Sequence, residues 1–507
     1  MNFAGTVREA CNKIKENLMA QILAGKDIVS YNDPHEELIF LSDFMNFVLS
    51  YLTQILVLLI PVVLLCLCGL LGAAKLYNKK HGGTRKFPWG KVLLSLALIG
   101  YLAVVCYVTL VRSGHMGTRY ANWHLFRAWR EAWNSFSERQ WMNVLLNIAM
   151  FMPLGVLLPL LGKSFRKWYL MLPAGFGTSL AIELVQYLSG RGICDVDDLF
   201  CNTLGAMLGF WLVMLALQLG QRHWKQGLCH TLALTCAAAS IGSVFIAYEI
   251  QEFGNLTTSP AFRVNTRDVE WNVNCELSET TRMVDLYRTR TWNREECETF
   301  GLEFFRNIGV EEVDVTIYND EVYLRERMGS RWLEVFYQGG HYSFTDRENW
   351  DILDETYDPV EEQILREALL DYGIEIPETA EFTRSEGNIY SFRADRCMDG
   401  DTMIDGAVSV RWEEGYGIRE IDNDMLRLTY YGEAEIISPK AAAQRLMDGH
   451  INSGEWFERK QPKRIEIQSC ELSYQVDTKG FYQPVYLIEL ESTDTDYGII
   501  ETVPAIK

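Results

Sequence analysis

The densest group of residues able to do chemistry lies between positions 143 and 205, inside sequence that is otherwise apolar. Asn143 and Asn147 are four apart in NVLLNIAMFMPLG, so a helix presents both on one side. Pro153 removes a helical hydrogen bond and is expected to bend that helix near its centre. AIELVQYLSGRG follows, where Glu183, Gln186 and Tyr187 are spaced to share a face. CDVDD adds Asp195, Asp197 and Asp198 beside Arg191. DLFCNTLGAMLG then puts Asp198, Asn202 and Gly205 on successive turns, and Gly205 with Gly209 permits close approach of a neighbouring backbone.

A carboxylate in hydrocarbon is costly unless it is paired or neutralised. Asn amides, Arg191 or a bound cation would meet that need for Glu183. Two readings follow. One is a polar pocket made of Asn143, Asn147, Glu183, Gln186, Arg191, Asp195, Asp197, Asp198 and Asn202. The other is a structural hydrogen-bond network between helices. If the pocket catalyses, Glu183 with Asp195 or Asp198 would be acid and base, and Arg191 an anchor for phosphate or carboxylate. The histidines form no ligand-like cluster and no CxxC pair occurs, so no metal site and no cofactor are expected.

The elements that must hold these residues are membrane spans. About 20 mostly apolar residues cross a bilayer, and six segments fit: 46–74, 89–111, 141–161, 168–188, 199–219 and 229–248. If they alternate in direction, Asn147, Glu183 and Asn202 lie near one end of their spans, at similar depth. Residues 1–43 are polar and read as an N-terminal segment without a cleavable leader. Residues 44–249 form the membrane region, with 250–261 as a linker and 262–507 as a soluble part.

Charge separates the two halves. Residues 1–249 carry 21 Lys+Arg against 14 Asp+Glu, a net of +7, and residues 250–507 carry 26 against 53, a net of −27. An acidic half of that size is a poor partner for nucleic acid. Its period-2 runs (EVDVTIYNDEVYLRE, RWLEVFYQ, NIYSFRADR, AVSVRW, MLRLTYYGEAEII, KRIEIQSCELSYQV, QPVYLIELES) predict strands, and helices are expected at 293–308, 358–372 and 439–448. Ser438 and Pro439 are a start signal for the last helix. The fold class is therefore an α-helical polytopic membrane bundle of about six spans followed by a soluble α+β domain. Two lobes, 262–376 and 377–507, are expected within it. Cys275 and Cys297 could pair if that part is extracytoplasmic.

The basic connections after the first, third and fifth spans belong in the cytoplasm, which puts the acidic half outside. The 112–140 loop resists, with Arg112, Arg119, Arg127, Arg130 and Arg139. Its aromatic residues suit either an amphipathic helix in the interface or a tryptophan-anchored loop.

NVLLNIAMFMPLG followed by AIELVQYLSGRGICDVDDLFCNTLGAMLG resembles the VanZ-like family over about 110–215. The resemblance carries over Asn147, Pro153, Glu183, Gln186, Arg191, Asp195, Asp198, Asn202 and Gly205. It implies a multi-spanning protein of the bacterial cell envelope, in a family whose namesake is tied to glycopeptide antibiotic resistance. IISPKAAAQRLMDGH with RIEIQSCELSYQVDTKGFYQPVYLIEL resembles extracytoplasmic YycI-like regulatory domains of Gram-positive bacteria. Three functions follow as expectations. The first is binding of a cell-wall precursor, lipid or glycopeptide, with an envelope protein partner for the soluble half. The second is an enzyme acting on a lipid-linked substrate, and the third is a small transporter.

Overall fold

The computed structural model describes residues 88–111, 121–190, 193–317, 321–337, 339–348, 359–385, 388–495 and 498–507. Five helices among these are long and apolar enough to cross a membrane: Trp89–Leu110, Glu138–Leu161, Trp168–Ser189, Val196–Gly220 and Gly227–Ile250. Their bounds follow the expected segments to within about a turn. The expected span at 46–74 lies outside the described residues. We label the helices α1 (Trp89–Cys106), α2 (Arg127–Ser135), α3 (Glu138–Leu161), α4 (Trp168–Ser189), α5 (Val196–Gly220) and α6 (Trp224–Ile250). Pro153 and Pro159 lie inside α3, which is one continuous helix.

Small residues decide how α3 meets α5. A Cβ built on Gly205 would stand 1.9 Å from the Ile148 carbonyl oxygen, and one on Gly209 would stand 2.0 Å from that of Met152. Gly155 answers from the other helix, where a Cβ would be 2.0 Å from the Ala206 carbonyl oxygen. The two backbones are therefore in direct contact, and Gly is the only residue that fits there. Around this seam Phe151, Leu154, Met171, Ala206 and Phe210 form the apolar centre of the bundle.

Of the 112–140 stretch, the described residues 121–140 contain α2, which packs against one end of the bundle. Its aromatic face packs on protein: Ala128, Trp129, Ala132, Trp133 and Phe136 meet Trp141, Val144, Val244 and Phe245. Two short strands, β1 (Ala121–Asn122) and β2 (Cys194–Asp195), pair in parallel and tie this segment to the turn between α4 and α5.

Residues 251–507 form a sheet-rich unit with helices α7 (Arg294–Asn307), α8 (Glu362–Asp371), α9 (Pro439–Met447) and α10 (Gly454–Lys460). Ser438 caps α9 by accepting from the Ala441 N–H at 3.2 Å. One fourteen-stranded sheet runs through the unit. Its strands are β3 (Glu270–Val273), β4 (Arg282–Thr289), β5 (Val313–Ile317), β6 (Glu321–Glu326), β7 (Arg331–Phe336), β8 (Tyr342–Asp346), β9 (Glu381–Arg384), β10 (Ile389–Asp399), β11 (Thr402–Glu413), β12 (Gly417–Asn423), β13 (Leu426–Ile436), β14 (Arg464–Val476), β15 (Phe481–Ser492) and β16 (Gly498–Pro504).

Two large apolar clusters and a small third one (Met403, Leu426, Leu428 and Tyr482) pack on this sheet, and the large ones do not divide the chain at residue 376. One draws on residues 297–421, including Phe304, Leu333, Leu369 and Phe392. The other joins Val264, Val284 and Trp271 to Ile436, Leu446 and Ile488. β3 and β4 belong with the C-terminal strands because β3 pairs with β14 and β4 with β15, an assignment set by register over long sequence separation. Cys275 and Cys297 are both free thiols, and each packs against a different one of these clusters.

Residues 251–507 meet the helices at the α2 end. Lys479, in the β14–β15 turn, donates to the Tyr248 and Gln251 carbonyls at 2.7 and 2.6 Å, at the C-terminus of α6. A cation there satisfies carbonyls that the helix leaves open. Asn255 donates to the Trp133 carbonyl at 2.6 Å, and Asn134 donates to the Ser259 carbonyl at 2.7 Å. Arg127 pairs with Glu131 at 2.6 Å and also with Glu455 on α10, so at least one of the awkward loop arginines is neutralised by the acidic half.

Candidate functional site

Four segments converge at the α2 end of the bundle: β1, the lower turns of α3, the last turns of α4, and the β2–α5 junction. Glu183 on α4 is 3% exposed and accepts from the Asp195 N–H at 2.9 Å. Asp195 caps α5 by accepting from the Asp197 N–H at 2.8 Å, and it also accepts from Asn122 Nδ2 at 3.1 Å. The Asn147 amide on α3 donates to Asp198. One turn deeper, Asn202 Nδ2 donates to Ser179 Oγ at 3.0 Å. Glu183, Asp195 and Asp198 are close enough to repel one another electrostatically. Three carboxylates thus share one end of the bundle.

Their described partners are side-chain amides and backbone N–H groups; among the described residues no Lys, Arg or His forms an ion pair with them. Arg191, the expected rim cation, lies outside the described residues. Two buried acceptors in the neighbourhood, Asn202 Oδ1 and Gln186 Oε1, have no hydrogen-bond partner among the described residues. An acidic cluster with spare acceptors is chemically suited to donors: ammonium groups, amides, hydroxyls or protons. Among the described residues no group of His, Cys, Asp and Glu has metal-holding geometry.

Asp197 has a different task from its neighbours. Its carboxylate accepts from the Phe126 N–H and, at 2.6 Å, from the Ala128 N–H, fixing the start of α2. These two amides are among those a helix N-terminus leaves unpaired.

The expected set is therefore gathered unevenly. Asn147, Glu183, Asp195, Asp198 and Asn202 come together. Gln186 is buried but turns aside to donate to the Thr109 carbonyl at 3.2 Å, after α1. Asn143 is exposed, and Tyr187 is 37% exposed, off the face that Glu183 uses. A spacing of three or four places residues on one side of a helix; which part of that side meets protein depends on the crossing of neighbours. Asn122 and Ser179 escaped sequence reasoning. Asn122 comes from a distant segment brought in by a two-residue strand, and Ser179 sits in an ordinary apolar run.

Comparison with known proteins bears on this region. A family model described as VanZ/LLP1 matches residues 98–217, which holds α2 to α4, most of α5 and every member of the cluster. No curated protein matches the chain. Among solved structures, the Bacillus megaterium YpeB C-terminal domain is similar at 11% identity and a TM-score of 0.18, covering 43% of this chain and 99% of that one. A score that low carries no argument. The chain thus has a VanZ-like membrane region, with five apolar helices suited to a multi-pass protein.

Proposed function

We propose that this protein binds a cell-wall precursor, lipid or glycopeptide at the outer face of a bacterial membrane, through the pocket of Glu183, Asp195, Asp198, Asn147 and Asn202. Residues 251–507 act on the same side as an extracytoplasmic sensor or partner-binding part. The observation that carries this reading is the group of three carboxylates whose described partners are all neutral. Precursors built from sugars and peptides are rich in N–H and O–H donors, which such carboxylates accept strongly. The outward assignment draws on the short basic connections, with Lys163, Arg166 and Lys167 in one and Arg222 and Lys225 in the other, at the end away from α2. An anchored surface at the pocket mouth, made by α2 and the 251–260 stretch, suits a ligand whose head extends beyond the bilayer.

The test uses the full chain in phosphatidylcholine nanodiscs with a fluorescent polyprenyl-linked disaccharide-peptide, and teicoplanin as a second probe. Saturable binding of either is expected, weakened at least about tenfold by Glu183→Gln and by Asp198→Asn. Absence of saturation, or variants that bind as the parent does, would defeat the proposal. Conversion of the lipid-linked probe, abolished by Glu183→Gln, would replace binding by catalysis with Glu183 and Asp198 as acid and base.

A further inference from the structure

A cavity lies within residues 251–507, with Pro260 in its lining next to Ser259, whose carbonyl meets Asn134 of α2, and none of its lining residues belongs to the carboxylate cluster. It measures about 250 Å³ and is lined by Pro260, Arg445, His450, Thr502, Val503 and Pro504. Arg445 stands in the last turn of α9 and is held by its Nη1 donating to the Pro504 carbonyl at 2.9 Å. The turn after α9 brings His450 back beside it, because the His450 N–H donates to the Arg445 carbonyl at 3.0 Å. Gly449 makes that turn possible: its φ is +91°, and a Cβ there would stand 2.2 Å from the Val264 carbonyl oxygen.

Two further guanidiniums approach. Neither is part of the cavity lining: Arg263 is fixed by donating to the Asp448 carbonyl, and Arg130 stands on α2 one turn before Asn134, which donates to the Ser259 carbonyl beside Pro260 at 2.7 Å. Partial burial disfavours the protonated form of His450 most, and the guanidiniums of Arg263, Arg445 and Arg130 add to this against the opposing Asp448, so the imidazole lies below its ordinary value. Among the described residues none of the three arginines forms an ion pair with a carboxylate, although the half around them carries a net charge of −27. Elsewhere in the same half, arginines such as Arg327, Arg331 and Arg411 are paired.

Uncompensated guanidiniums converging on a concave site are the ordinary means of holding an oxyanion, since each offers a rigid fork of donors. One carboxylate would cancel a single charge of three. A phosphate-type anion, with two charges and three or four acceptor oxygens, matches the donor set more fully. The Thr502 hydroxyl and the His450 ring extend it.

We propose that Arg130, Arg263, Arg445 and His450 form a binding site for a phosphate-type oxyanion at the seam between α2 and residues 251–507. Because Arg130 belongs to the helix that Asp197 clamps, an occupied site would join the outer unit to the segment that closes the carboxylate cluster. The anion is either a free phosphate or the headgroup of an anionic lipid.

The experiment separates those sources. Full-length protein in phosphatidylcholine nanodiscs is titrated with inorganic phosphate and with pyrophosphate at constant ionic strength, chloride serving as the control. In parallel, retention of labelled phosphatidylglycerol is measured by native mass spectrometry. Saturation by a soluble anion assigns a free phosphate; phosphatidylglycerol retention without it assigns a headgroup. In either case Arg263→Gln and Arg130→Gln should each weaken binding at least about tenfold. Arg263 and Arg130 are exposed, so these variants should leave the unfolding midpoint unchanged. No saturable binding of any probe, or binding that survives both substitutions, overturns the proposal.

Discussion

Replacing Gly205 by alanine should force the membrane helices apart and disturb the acidic cluster with them. The added Cβ would stand 1.9 Å from the Ile148 carbonyl oxygen, where contact requires about 3.5 Å. The helices must therefore separate by roughly 1.5 Å or bend, since a carbonyl held in its own helix cannot step aside. Overpacking of this kind costs about 1–3 kcal/mol, and here the obstacle is backbone on both sides. At roughly 2–4 °C per kcal/mol, the unfolding midpoint in nanodiscs should fall by several degrees. Gly177 on α4 is the internal control, because nothing lies within 4 Å of a Cβ placed there. The displacement would also draw Asn147, the neighbour of Ile148, from Asp198. Ligand binding should weaken in Gly205→Ala and persist in Gly177→Ala. Equal midpoints for the two variants would refute the close seam between α3 and α5.

Two other perturbations test the outer unit. Asp346, on β8, is pulled upward by burial. The Glu348 N–H, the Arg331 guanidinium at 2.9 Å and Ser330 outweigh this and hold it below its ordinary value. Its contribution to stability is present above the ordinary aspartate value of about 3.9 and is lost as pH falls through the lowered one. Asp346→Asn should flatten the acid limb of stability measured by denaturant titration between pH 5 and 2, approximate bounds set by that value, and an unchanged limb would count against the assignment. For the half-exposed Arg127–Glu455 pair, Glu455→Gln should cost no more than about 1 kcal/mol, with an effect that shrinks in high salt. A large, salt-independent loss would mean that the pair does more than screenable pairing.

How much of this was legible in the sequence follows from the range of the forces. The spans were readable because hydrocarbon thickness sets a length and an apolar composition, and five described helices fall where hydropathy places them. The strands of residues 251–507 were readable where period-2 alternation is long, as in β14 and β15, and α9 was readable from its cap. β3, β4 and β16 were not singled out, being short, less regular or assigned to a face only by distant partners.

In the site, residue types and spacing marked Asn147, Glu183, Asp198 and Asn202 as polar groups that hydrocarbon would not tolerate unpaired. Only the folded chain decided that Glu183 accepts from the Asp195 N–H, that Asp197 serves α2, and that Gln186 turns to the Thr109 carbonyl. Periodicity fixes which residues share a helix face, because that depends on neighbours a turn away. Partners from separate segments depend on helix crossing and on the contact of Gly155, Gly205 and Gly209, which no local pattern encodes. The same holds for Arg445 and His450, which line one cavity, and for Arg263 and Arg130 near it: segments far apart in sequence were brought together only when α2 and the outer unit met.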